Sequence, residues 1–209
     1  MIGTMSTRKT SAASKRGRPA EFDREAALDA ALETFWRRGY GGASLDDLTA
    51  AMNINRPSLY GAFGNKGQLY AASVDHYVAK IGASYLSPLA QPRVADALGG
   101  FFGAMIDGVT GKHGPLGCVV ACTLPAEAGV STAAQAQLAA VLAQIDGAWI
   151  ARLTAAQGAG EIAESRDARV LGQLVASGML ALSIRARAGA SKRTLRAIAG
   201  EIVAAVLGP

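Results

Sequence analysis

The chain has 209 residues, half of them apolar and only 6% aromatic, with 25 glycines. That length can bury a sizeable core, and the shortage of β-branched runs favours helix over sheet. Two cysteines exclude a disulfide framework, and two histidines argue against a His-rich metal site. The formal net charge is +5. It is concentrated in residues 1–20, where Arg8, Lys9, Lys15, Arg16 and Arg18 stand without an acid; bases and acids balance over the rest. A basic arm on a neutral body points to an anionic polymer or surface as partner.

The start lacks the apolar core of a secretory leader. No uninterrupted apolar run reaches the roughly 18 residues of a membrane span; the nearest, 170–184, is broken by Gln173 and Ser177. A cytoplasmic protein with reduced thiols and no membrane partner is expected.

Residues 1–19 read as a disordered basic arm. Asp23 suits a helix N-cap, and Leu28, Ala31, Leu32 and Phe35 then repeat on one face. Gly39 and Gly41-Gly42 end that helix. Ser44 with Asp47 three residues on is a capping box, followed by the stripe Leu45, Leu48 and Met52. Asn53-Ile54-Asn55 makes a short turn. Asn55 caps a further helix with Pro57 in its first turn and Leu59 and Phe63 as anchors. Gly64 stops it. Asn65 caps a longer helix with Gln68 at the reciprocal position, lined by Leu69, Tyr70, Val74, Tyr77 and Ile81. The helical period then predicts helices over 94–109, 116–128, 132–156, 168–188 and 192–207.

Residues 44–63 therefore follow the helix-turn-helix plan, whose second helix enters the DNA major groove. Arg56 and Lys66 sit at helix starts. A cation there opposes the helix dipole, and a nearby phosphate would reverse that cost.

The run 53–69 (Asn-Ile-Asn-Arg-Pro-Ser-Leu-Tyr-Gly-Ala-Phe-Gly-Asn-Lys-Gly-Gln-Leu), with Phe35-Trp36-Arg37-Arg38-Gly39-Tyr40 upstream, resembles TetR-family transcriptional regulators over about residues 17–69. The resemblance implies an all-α fold: a three-helix DNA-binding domain at 20–66, a linking helix at 67–87 and a helical ligand-binding and dimerisation domain at 88–209. It implies double-stranded operator DNA, a small-molecule effector and a second copy of the chain as partners. Ser44, Arg56, Pro57, Ser58, Tyr60 and Lys66 are carried over as DNA-binding positions, with Arg18 of the arm suited to the minor groove. Gly61-Ala62 replaces a larger pair, often His or aromatic, which removes a groove or phosphate contact. Pro57 replaces a residue that is often Gly.

Elsewhere the apolar residues are most simply core. A pocket would be lined by Phe101, Met105, Trp149 and Met179, with Cys118 and Cys122. The cysteines fit two readings: small buried hydrophobes, or a thiol sensor in which Cys118, just after a Gly/Pro break, is exposed and acidified while Cys122 is better buried. The stripes Leu171, Val175, Gly178, Leu182 and Ile198, Ile202 are expected to form the dimer interface as a four-helix bundle. No cofactor, metal or catalytic set is legible, so an enzyme is not expected. The rival reading is a helical thiol-dependent small-molecule enzyme with a basic tail.

Overall fold

Asp23 accepts hydrogen bonds from the amides of Glu25 and Ala26 and starts the first helix, α1 (Arg24–Gly42). The structure, a computed structural model, describes residues 22–111 and 117–208. Arg18 and the rest of the basic arm lie outside the described residues, as does His113. The predicted face of α1 is the buried one: Leu28, Ala31, Leu32 and Phe35. Gly39 breaks the helix with φ 72° and ψ 167°, a left-handed conformation that costs glycine little.

Ser44 opens α2 (Leu45–Ala51) with a complete capping box: its hydroxyl accepts the Asp47 amide at 3.1 Å, and the Asp47 carboxylate accepts the Ser44 amide at 3.1 Å. Asn55 caps α3 (Arg56–Phe63) through the Ser58 amide at 2.9 Å. Gly64 ends it at φ 79°. A second capping box, Asn65 with Gln68, opens α4 (Lys66–Leu86). Each such cap stabilises its helix by about 1 kcal/mol. Three caps within 22 residues therefore fix the entry of every helix in this unit.

After a 3-10 turn at Ser87–Ala90 come α5 (Val94–Val109), α6 (Val119–Cys122), α7 (Leu124–Ala128), α8 (Thr132–Gly158), α9 (Ala168–Arg187) and α10 (Lys192–Leu207). The single helix expected over 116–128 is two short ones, broken at Thr123 (φ −126°, ψ −43°). Pro125 has no N–H to continue the helix, and its ring crowds the preceding turn. Among the described residues there is no strand.

α1 packs on α4, α8 on α9, and α10 on α5 and α9. One apolar core joins α1 to α10. The stripe expected at a dimer interface belongs to this core. Leu171, Val175, Gly178 and Leu182 are buried within the chain, and Ile198 and Ile202 are half-buried against the core. A Cβ on Gly178 would meet Ile202 at 2.9 Å, so the close approach that Gly178 permits is between α9 and α10 of one chain. The exposed apolar side chains of α9 are Val170, Leu174 and Ile184 instead. With Ser177 and Ala181, also exposed, they form a second stripe at helical spacing.

Candidate nucleic-acid interface and interior cavity

Helix α3 buries Leu59 and Phe63 completely or nearly so. Positions one turn apart share a face, so Arg56, Pro57, Tyr60 and Gly61 point outward and are exposed. Tyr60 is 48% exposed, so its ring and hydroxyl are open to solvent rather than packed in the core. Ser44 is exposed, and Ser58 and Lys66 are partly so. An eight-residue helix is about 12 Å long, comparable to the width of the major groove, about 12 Å.

The cations around this face are held in position. The Arg56 guanidinium contacts the Asp46 carboxylate of α2 at 2.8 Å, with both side chains largely in solvent. Such a pair stabilises by about 0–1 kcal/mol, so a phosphate or guanine edge can compete for Arg56. The Lys66 ammonium lies 4.5 Å from the centre of the Tyr40 ring. Arg24 is the first residue of α1. Its guanidinium donates to the Ala62 carbonyl at 3.1 Å and sits 4.5 Å over the Phe63 ring, so it ties the start of α1 to the end of α3. Arg38 pairs with Asp47 at 2.8 Å. Hydrogen bonds from Ser44 and the Arg38 guanidinium hold the Asp47 carboxyl below its usual range.

Behind this unit an apolar cavity of about 50 Å³ lies between α4, α5, α6, α8 and α9. Of the six residues expected to line a pocket, Phe101, Cys118 and Met179 do so. Met105, Cys122 and Trp149 do not. Met105 is buried beside Ser183, 4.0 Å from its hydroxyl. Trp149 is fully buried, edge-on to Phe101 at 5.1 Å. Sequence reading missed the α4 and α8 walls, which include Val78, Ile81, Tyr85 and Ile145. The cavity shares Val78, Gly82, Leu86, Val141 and Gln144 with an open cleft of about 720 Å³ between α4 and α8. The cleft adjoins the cavity along these residues, on the side where a ligand would enter.

The thiols are placed opposite to the sensor expectation. Cys118 is 3% exposed, and Cys122 is the half-buried one. Burial pushes the Cys118 thiol up, against the opposing hydrogen bond from Tyr77. Burial also raises Cys122, partly offset by the Arg187 guanidinium. Cys118 is the N-cap residue of α6, but a four-residue helix offers little dipole and desolvation prevails.

Helix α4 joins the two regions through two tyrosines. The Tyr70 hydroxyl is 3.0 Å from the Thr123 hydroxyl, and its ring stands edge-on to Phe35 at 5.1 Å and Tyr40 at 5.4 Å. Tyr77 touches Cys118 on one side and Trp36 on the other.

A profile described as bacterial regulatory proteins, tetR family, matches residues 27–73. The HTH-type transcriptional repressor ComR of Escherichia coli K12 is 34% identical over 206 residues, covering 94% of this chain and 95% of ComR. BdcR, a repressor of the same bacterium, is 40% identical over 62 residues, or 30% of this chain and 32% of BdcR. Among solved structures, a cysteine mutant of the TetR-family regulator CifR bound to a 26-base-pair operator matches with a TM-score of 0.81. It is 30% identical and covers 90% of this chain and 99% of that one. The capped unit and its relatives define a helix-turn-helix transcriptional regulator. The chain belongs to the TetR family.

Proposed function

We propose that the protein is a homodimeric repressor released from its operator by a small molecule. Residues 20–66 and the basic arm 1–19 bind DNA, 67–87 link, and 88–209 hold the effector cavity and the dimer surface. In this reading Arg56 and Tyr60 face base edges and phosphates, Ser44, Ser58 and Lys66 hold phosphates, and Arg18 reaches the minor groove. The observation that carries it is the outward face of α3, where Arg56, Pro57 and Tyr60 are presented by a helix fixed at both ends. An effector releases DNA only if it prefers a conformation in which the two reading heads are wrongly spaced. The aromatic contacts from Tyr70 and Tyr77 to α1 supply a path for that preference.

The thiol-dependent enzyme is the weaker reading, because burial raises both thiols, outweighing Tyr77 at Cys118 and Arg187 at Cys122. Selection of bound DNA from a random pool tests the proposal. Enrichment of a two-fold symmetric site with half-sites about 34 Å apart, or a multiple, is expected. No enrichment over the starting pool contradicts it.

A further inference from the structure

The effector reading leaves the chemistry of the ligand open, and the cavity walls restrict it. Val78, Ile81, Phe101, Ile145 and Met179 supply apolar surface. Among the lining residues there is no Asp, Glu, Lys, Arg or His. The ionisable groups that do face the cavity are neutral: burial pushes the Tyr85 phenol up to about 12 and raises the Cys118 thiol. An ion moved into this space would lose its water and find no partner.

At the mouth the balance changes. Gln144 lines both the cavity and the cleft and is exposed at the solvent side. Its amide can donate and accept. The other amide of the cleft, Gln137, is engaged by the Ala71 carbonyl at 2.9 Å and the Asp75 carboxylate at 2.7 Å. That carboxylate repels an anion at the entrance; a cation drawn to it would meet only apolar wall beyond.

Gly82 stands where cavity and cleft meet. A Cβ built there has nothing within 4 Å, so the throat is open at this residue. The cavity volume of about 50 Å³ holds a few heavy atoms, and a larger ligand extends into the cleft.

We propose that this site takes a compact, uncharged organic molecule whose apolar edge enters past Gly82, with the rest of the molecule in the cleft and one hydrogen-bonding oxygen at Gln144. The proposal rests on the effector reading for its biological meaning but not for its chemistry.

The test uses the full-length protein and four probes of similar shape: acetophenone, ethylbenzene, benzoate and benzylammonium. Affinity is read by equilibrium dialysis and by the shift in melting temperature. Acetophenone should bind the wild type at least about tenfold more tightly than either ion. A Cβ at residue 82 meets nothing within 4 Å, so Gly82→Leu carries its bulk into the throat, and leucine favours helix over glycine. It should keep the melting temperature and lose about tenfold or more in acetophenone affinity. Gln144→Leu should abolish the preference for acetophenone over ethylbenzene. An ion binding as tightly as acetophenone, unchanged binding by Gly82→Leu, or no binding of acetophenone up to its solubility overturns the proposal. Operator affinity measured on the same samples separates the two readings. Gly82-dependent binding of the neutral probe without any change in operator affinity upholds the site and counts against its role as effector site.

Discussion

The hydroxyl of Tyr77 donates to Sγ of Cys118 at 3.6 Å. The same tyrosine ring lies edge-on to Trp36 of α1 at 5.3 Å, so one side chain touches both the cavity wall and the DNA-binding head. Replacing it with phenylalanine keeps the ring and deletes the hydrogen bond. Tyr77→Phe should lower stability by about 0.5–1.5 kcal/mol and weaken the response of operator affinity to effector. Chemical denaturation and operator titrations with and without ligand check both. An undiminished ligand response would remove Tyr77 from the path.

Alkylation distinguishes the thiols. Iodoacetamide should modify Cys122 before Cys118, because only Cys122 is half-buried. Both pKa values lie above the ordinary 9.0, so the thiolate is scarce at neutral pH. Labelling should accelerate by about tenfold per pH unit up to that range. Mass spectrometry of the two sites over time measures this, and faster labelling of Cys118 would contradict the burial order.

Two adjacent residues of α9 separate the core from the exposed stripe of Val170, Leu174 and Ile184, the face of α9 open to a second copy of the chain. Val175 is fully buried, whereas Leu174 is 39% exposed. Val175→Glu should unfold the chain by burying an unpaired charge. Leu174→Glu should give a folded monomer. Light scattering with a melting curve reports both, and an intact dimer in Leu174→Glu would place the interface elsewhere.

Asp29 ties α1 to α4, accepting from Lys80 at 2.7 Å and lying 3.1 Å from the His76 ring nitrogen. Burial raises its pKa, but Lys80 and His76 outweigh that and hold the carboxyl below 3.8. A depressed folded pKa gives stability that is present above the unfolded value and lost as pH falls through the folded one. Asp29 is 44% exposed, so Asp29→Asn should cost about 0.2–1 kcal/mol at neutral pH. The difference between variant and wild type should shrink as acid takes the solution below 3.8. Denaturant midpoints across pH measure it; a gap that widens in acid would reverse the assignment.

The helix-turn-helix was legible because its signals are local. Ser44, Asp47, Asn55, Asn65 and Gln68 act within four residues of themselves, and each cap forms as read. The break at Thr123 was also local, in Pro125, but the apolar run around it masked the proline. The face of α9 was not legible. That helix carries apolar residues on two sides, and periodicity alone cannot say whether Leu171 and Val175 or Val170 and Leu174 meet the chain's own core. The same ambiguity hid Val78 and Tyr85 of α4 behind the stripe of Tyr77 and Ile81. Cys118 was read from its distance to a Gly/Pro break, whereas its reactivity depends on tertiary burial.

In the proposed function the outward face of α3 and the start of α4 hold DNA. Operator affinity measured against salt concentration for wild type, Arg56→Ala and Lys66→Ala tests it most directly. Loss of Arg56 from a base edge should cost about 1–3 kcal/mol and relax specificity at one position. Loss of Lys66 from a phosphate should weaken all sequences alike and lower the salt slope by about one. Unchanged affinity and slope in both variants, with melting temperatures intact, would contradict the account.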